Sequence, residues 1–402
     1  MSKRSVRDAA VSGKRVLVRV DFNVPLKGGE VADDTRIRAA LPTIAALRER
    51  GARVALCSHL GRPKGVDRAL SLAPVARRLA ELLGASVALA PDCVGEAVAA
   101  SVNALVPGAV VLLENVRFHA GEEKNDPAFA KALAAPFDLY VNDAFGAAHR
   151  AHASTEGVAR LLPAYAGLLL EKELAVLGGL LGAPVRPFLA IVGGAKVSSK
   201  LDVLQALLAR VDTLAIGGGM ANTFLAATGH PIGRSLAEPD RMPEAERILD
   251  AAARANKAVL LPTDVIVAAS ADAAGASSAR VVAAGGVPAD VAIVDIGPRT
   301  LEAYGAAIAG ARTYFWNGPV GVFEVPAFAS GTRAIARLLA AASARGATTV
   351  VGGGESVQAV EEAGLAPQMT HVSTGGGASL ELIEGKVLPG VAAIPDDQGR
   401  LA

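Results

Sequence analysis

Short runs of β-branched and aliphatic residues recur along this chain and alternate with Ala/Leu-rich amphipathic stretches, and that alternation leaves few folds open. A strand that reads as unbroken Val, Ile and Leu has both faces covered, and the covering helices come from the connections between parallel strands. In the first half the runs are Val16 to Val20, Val54 to Cys57, Val110 to Leu113 and Leu139 to Val141, with helical segments such as Leu72 to Leu83 between them. In the second half they are Phe188 to Val192, Thr213 to Ile216, Val259 to Leu261, Val291 to Val294, Thr313 to Trp316 and Thr348 to Val351. Nearly all of these strands are expected to be parallel. A chain of 402 residues exceeds what one core organises, so the fold class expected is α/β, with two doubly wound parallel-sheet domains separated by a cleft. Leu168 to Leu181 is helical in character and is broken by Gly182, Pro184 and Pro187. The domains are therefore placed at 1–168 and 185–385, with 169–184 as an interdomain helix.

Charge and cysteine usage remove several function classes. The 40 Lys and Arg against 39 Asp and Glu leave a net charge of +1, which disfavours a nucleic-acid partner. Cys57 and Cys93 form neither a C-x-x-C pair nor a zinc set, as in a protein from a reducing compartment. Lys3, Arg4 and Arg7 have no apolar stretch behind them, so the start does not read as a secretory signal. The uncharged stretch Thr213 to Gly233 is broken by a glycine triplet, Asn222, His230 and Pro231, so no membrane span is expected. A cytoplasmic monomer is the expectation.

Ligands of parallel α/β sheets bind beyond the carboxyl ends of the strands, which makes the residues after each run the functional shortlist. The first half offers Asp21 and Asn23, His59 and Arg62, Arg117 and His119, and His149 and Arg150. Arg36, Arg62, Arg117 and Arg150 carry planar donor forks that suit phosphate and carboxylate oxygens, so a small, multiply charged anion is expected there. His149 and His152, three apart, lack the further Cys or carboxylate of a zinc pattern and read better as polar cleft-wall residues.

The second half carries Gly193-Gly194-Ala195-Lys196 and glycine triplets at 217–219, 352–354 and 375–377. Most stand between an apolar run and a helix start, where backbone amides can approach phosphate oxygens. Together they point to a nucleotide. Neither G-x-x-x-x-G-K-[ST] nor a G-x-G-x-x-G after a strand is present, which disfavours a P-loop ATPase and a dehydrogenase. Lys196 and Lys200 are four apart, and a helical start would place both ammonium groups on one face, around an anion. Glu324 could hydrogen-bond a ribose. Glu355 could hold Mg²⁺ or serve as a charge partner of a helix N-terminus, and both uses are compatible.

The segments Val20 to Pro25, Ser58 to Pro63, Leu112 to His119, Val141 to His152, Gly193 to Lys200, Trp316 to Glu324 and Ser373 to Gly385 together resemble the phosphoglycerate kinase family, in the family's order. The resemblance implies a 3-phosphoglycerate site on the N-terminal domain formed by Asp21, Phe22, Asn23, Arg36, His59, Leu60, Gly61, Arg62, Arg117 and Arg150. It implies an ATP/ADP site on the C-terminal domain formed by Lys196, Lys200, Gly297, Asn317, Glu324 and Gly353, Gly354, Glu355 and Ser356, with Mg²⁺ at Glu355. Arg36, Lys196 and Lys200 are the implied catalytic residues, and 386–402 is implied to pack back on the N-terminal domain. Two positions depart from the family's pattern. Ser199 stands where the family usually has Asp, and Glu355 stands where it usually has the Asp of Gly-Gly-Gly-Asp.

Overall fold

The computed structural model describes residues 2–397. The chain divides into two compact units, one gathering the residues up to Gly178 together with those from Lys386 onward, the other running Gly179–Gly385. The helix Leu168–Leu181 carries the chain across the division.

The first unit is built on a six-stranded parallel sheet. Its spatial order is Val87–Leu89, Val110–Leu112, Arg53–Cys57, Arg15–Arg19, Leu139–Asn142, Ala164–Ala166. The central strand Arg15–Arg19 pairs in parallel register on both sides, Val16 with Val54 and with Leu139. Its interior positions Val16, Leu17 and Val18 are wholly buried, which is why the run carries no polar alternation. The helix Ala73–Leu83 ends in Gly84 at φ +58°, a left-handed stop that only glycine adopts without strain. The return of the chain belongs to the same unit: Gly390 donates to the Ala148 carbonyl at 2.9 Å, and Asn142 Nδ2 donates to the Gly390 carbonyl at 3.1 Å. Of the segment 386–402, residues 398–402 lie outside the described residues.

The second unit has its own six-stranded parallel sheet, in the order Ala258–Leu260, Thr213–Ile216, Phe188–Val192, Thr313–Asn317, Thr348–Gly352, His371–Val372. Phe188–Val192 and Thr313–Asn317 are buried at all five positions each. One expected strand is elsewhere: the run at Val291 to Val294 overlaps the strand Ala292–Ile296, in an antiparallel three-stranded sheet with Asp264–Ala268 and Arg280–Ala283. The first two positions of that strand are only half-buried, so an apolar run by itself did not report a two-sided environment. The short strands Val87–Leu89, Ala164–Ala166 and His371–Val372 complete the sheet edges and carry too few residues to stand out in sequence. Among the described residues no helix is long and apolar enough to cross a membrane.

Candidate functional site

In the first unit the chain leaves Arg15–Arg19 through Asp21, Phe22 and Asn23. Phe22 is wholly buried, and its amide donates to Ser58 Oγ at 2.8 Å, locking this loop to the one that follows Arg53–Cys57. Asn23 Oδ1 accepts the Gly61 amide at 2.8 Å, and Arg36 Nη1 donates to Asp21 Oδ2 at 3.1 Å and to the Asn23 carbonyl at 3.2 Å. Gly61 adopts φ +65°, and a Cβ there would stand 2.8 Å from Leu70, so the turn that presents Arg62 requires glycine. Leu60 anchors it in the core. Arg117 Nη1 donates to the Gly61 carbonyl at 2.7 Å, while its Nε lies 3.2 Å from Glu123 Oε1 without hydrogen-bond alignment.

Beneath these groups is an arginine that strand-end reasoning passed over. Arg19 is 1% exposed. Its Nε donates to Ser154 Oγ at 2.7 Å, Nη1 donates to the Val20 carbonyl, and Nη2 lies 3.1 Å from His59 Nδ1. A guanidinium has no acceptor, so Nδ1 of His59 accepts and the ring proton sits on Nε2. Burial holds His59 well below its ordinary pKa, and the charges of Arg19, Arg117, Arg36 and His152 act in the same direction. His59 is therefore a neutral donor at neutral pH. His152 is pushed down to about 4, by burial first and then by Arg117, Arg19 and Arg150. The counter-charge is Glu122, wholly buried, whose two oxygens accept the Ser154 hydroxyl at 2.6 Å and the Ser154 amide at 2.9 Å. Burial raises its pKa against the opposing effect of Arg19. A charge in the middle of an apolar run, Val16 to Val20, was the sequence signal for Arg19.

Of the four arginines expected to converge, Arg36 and Arg117 act electrically on His59, and Arg150 acts on Arg117 and His152. Burial lowers the pKa of Arg117, Arg19 and Arg150 lower it further, and Glu123 and Glu122 oppose them without reversing the shift. This is a cluster of cations short of anions. Arg150 is exposed and its Nε reaches His149 at 3.2 Å. Arg62 is exposed and forms no hydrogen bond or ion pair among the described residues.

In the second unit the glycines after Phe188–Val192 meet those after Thr313–Asn317. The Gly193 amide donates to the Asn317 carbonyl and the Gly194 amide to the Pro319 carbonyl, both at 2.9 Å. Gly318 has φ +93°, and a Cβ there would stand 2.3 Å from the Gly193 carbonyl and 2.6 Å from Lys200 Nζ. Any side chain would close the site. Lys200 Nζ donates to the Gly193 carbonyl at 2.8 Å and to Asn317 Oδ1 at 2.6 Å. Burial pulls its pKa down to about 8, opposed by the Glu355 carboxylate. Asn317 is itself buried, with Nδ2 left without a hydrogen-bond partner. Gly353, the N-cap of the helix Gly354–Glu362, has φ +87°, and a Cβ there would meet that Nδ2 at 2.7 Å. Buried Ser356 accepts the Gly318 amide at 2.5 Å, and Glu355 is exposed in the first turn.

The two lysines are not arranged as expected. The helix begins at Leu201, not at Lys196. Lys200 turns inward at the cap position while Lys196 is exposed, and Ser199 Oγ donates to the Lys196 carbonyl at 2.8 Å. The remaining expected nucleotide residues, Gly297 and Glu324, make no hydrogen bond or ion pair of their own with Lys200 or Asn317. Gly297 caps the helix Pro298–Gly310 with its Cα against the Asp264 carboxylate, and Glu324 is exposed with no hydrogen bond or ion pair among the described residues.

Comparison with known proteins gives the family. A family model described as phosphoglycerate kinase matches residues 6–386. The phosphoglycerate kinase of Moorella thermoacetica is 58% identical over 397 residues, covering 98% of this chain and all of that protein. That of Chloroflexus aurantiacus is 57% identical over 401 residues, with the same coverage. Among solved structures, phosphoglycerate kinase from Coxiella burnetii superposes with a TM-score of 0.86 at 44% identity, covering 97% of this chain and 98% of that one. The Pyrococcus horikoshii enzyme superposes at 0.85 with 34% identity and the same coverage. With an arginine-rich cationic cluster on one parallel sheet, a glycine-lined turn on the other, and relatives matching end to end, the chain belongs to the phosphoglycerate kinase family.

Proposed function

We propose that the chain transfers a phosphoryl group reversibly between MgATP and the carboxylate of 3-phosphoglycerate. Asp21, Asn23, Arg36, His59, Arg62, Arg117 and Arg150 hold the triose, while Lys200, Asn317, Gly353, Gly354 and Ser356 hold the nucleotide. The observation that carries the reading is Lys200, an ammonium drawn into a glycine-lined turn beside the unpartnered Nδ2 of Asn317. The acceptor carboxylate is already ionised at neutral pH, so no general base is required. Catalysis then rests on placing the reactants and neutralising charge on the transferring group, the task assigned to Arg36, Lys196 and Lys200. Gly297 and Glu324 are assigned to the nucleoside end. The reaction needs both sets of groups on one phosphoryl group, and hinge motion between the units is part of the proposal.

Magnesium is commonly held by one or two carboxylates together with substrate phosphates. A single exposed carboxylate at the start of a helix, whose charge acts on Lys200, fits that pattern, so Glu355 is the residue that would hold the ion. Bound Mg²⁺ supplies charge neutralisation across the phosphates. The extra methylene of Glu355 relative to the family's usual Asp is tested by a coupled assay with 3-phosphoglycerate and MgATP. Equal turnover in wild type and Glu355→Asp supports the assignment; turnover in the aspartate variant alone makes Glu355 disabling. If neither turns over while nucleotide binds, the chain is a silent nucleotide-binding protein. Parallel assays with acetate and carbamate check the acceptor.

The depressed Lys200 gives a signed pH prediction. Its ammonium is lost as pH rises through about 8 in the nucleotide-free protein, so kcat/KM for nucleotide falls above that pH. Bound phosphates favour the charged form, so kcat holds to higher pH. A kcat/KM profile flat to pH 10 would refute the role. The reading also takes the chain to be a cytoplasmic monomer, supported by two free buried cysteines and a near-neutral charge; sedimentation analysis checks the monomer.

A further inference from the structure

Outside both clusters, three side chains of different chemistry converge at the carboxyl edge of the first sheet. Asp92 and Cys93 follow the edge strand Val87–Leu89, and His119 follows the turn Val116–Phe118 beyond its neighbour Val110–Leu112. The strands run parallel in register, Leu89 opposite Leu112, so both loops emerge side by side, and the Glu114 amide donates to the Asp92 carbonyl. One oxygen is the hub: Asp92 Oδ1 lies 2.6 Å from His119 Nε2 and accepts the Cys93 amide at 2.6 Å. The ligating atoms of Asp92, Cys93 and His119 all lie within 4.8 Å of one another. Cys93 is 1% exposed, whereas the His119 and Asp92 side chains are 32% and 45% exposed. The site therefore has an anchored sulfur and an open approach from solvent. His119 is held by stacking on Phe129, ring centroids 5.2 Å apart.

We propose that Asp92, Cys93 and His119 form a binding site for a divalent transition cation of the Zn²⁺ class, with water as the fourth ligand. Thiolate, imidazole and carboxylate together favour a borderline-soft cation over Mg²⁺, which takes oxygen ligands. Zinc bond lengths put tetrahedral ligand atoms about 3.3 to 3.6 Å apart, so the 2.6 Å contact opens by about 1 Å on loading. On binding, the thiol proton leaves to solvent, the neutral imidazole carries its proton on Nδ1 so that Nε2 ligates, and Asp92 stays ionised. Without a cation the thiol stays protonated, since burial and the Asp92 charge both raise its pKa. A dication reverses that balance. The site is separate from the Mg²⁺ role given to Glu355, which belongs to the other unit.

The test is a spectroscopic titration of the full chain, stripped by chelator, with Co²⁺ as probe in excess Mg²⁺. The expected result is a thiolate-to-cobalt charge-transfer band saturating at one cation per chain, erased by added Zn²⁺ and absent in Cys93→Ser. Competition in His119→Ala should show Zn²⁺ binding weakened at least about 100-fold, the upper end of what even outer-shell changes cost. No band in wild type, a band surviving Cys93→Ser, or unchanged Zn²⁺ affinity in His119→Ala would each overturn the proposal. Because His119 is half-exposed, its variant decides the matter even if Cys93→Ser fails to fold, with near-ultraviolet circular dichroism checking that the variant is native.

Discussion

The first unit builds its cluster from side chains, the second from backbone. Arg19, Arg36, Arg117 and His59 are held by one another's loops and by Glu122 and Ser154, with cations crowded to the point that burial and mutual repulsion lower the pKa of Arg117. In the second unit the walls are glycines whose missing Cβ atoms leave the space, and one lysine supplies the buried charge. The contrast matches the ligands proposed. A small, rigid anion can be grasped by fixed donor forks. Polyphosphate is longer and arrives with its own cation, so close backbone and a single ammonium suffice.

The largest test of that contrast is Lys200→Ala. If the glycine cradle depends on one charge, turnover in the coupled assay falls by about 10²- to 10³-fold, as when a preorganised donor is lost, while 3-phosphoglycerate affinity stays within about twofold. Near-normal turnover would mean that backbone and metal carry the second cluster alone. The first cluster should fail more gradually, since several cations share the work. Arg117→Ala removes a half-buried fork fixed on Gly61, and a lost charge-assisted bond of about 1.5 to 3 kcal/mol weakens triose binding by roughly 10- to 100-fold. Arg62→Ala removes an exposed fork with no internal partner, and a loss below about 10-fold is expected. Calorimetric titration measures both, and equal losses would show that partners inside the protein do not set the strength of the grip.

Much of this was legible because the chemistry shows in residue type. The runs Val16 to Val20 and Phe188 to Val192 announced parallel strands, and His59, Arg117 and the glycine triplets stood at their ends. What was hidden depended on direction or depth. Arg19 sits within a strand, where alternation turns it under the site. Glu122, in Gly-Glu-Glu-Lys, reads as one solvated acid among several until Arg19 and Ser154 enclose it. Lys196 and Lys200 pair only if a helix begins at Lys196; it begins at Leu201, so one lysine points in and the other out. The antiparallel sheet around Ala292–Ile296 was missed because periodicity in a short apolar run does not encode strand direction.

The smallest test asks whether the two units also differ in how they tolerate buried carboxylates. Asp143 follows the strand Leu139–Asn142, and its Oδ1 accepts the Leu169 amide at 2.9 Å and the Leu170 amide at 3.3 Å, while Oδ2 is buried without an aligned hydrogen bond. Burial raises its pKa to about 7 against the opposing pull of the Thr43 hydroxyl and those amides. Asp295 has both oxygens engaged, by the Ile296 amide at 2.9 Å and by Ser330 Oγ and the Gly331 amide at 2.8 Å, and burial raises it only to about 6. A folded-state pKa raised above the unfolded value of about 3.9 contributes stability that is full below pH 4. The contribution is lost as pH rises, through about 7 for Asp143 and about 6 for Asp295. The stability difference between wild type and Asp143→Asn should therefore shift against wild type between pH 4 and 7, by about 1 to 2 kcal/mol once partial hydration of the buried group is allowed for. Asp295→Asn should show a smaller shift that is complete by pH 6. Urea unfolding at a series of pH values gives both curves, and identical curves would mean that the orphaned oxygen of Asp143 costs nothing beyond burial itself.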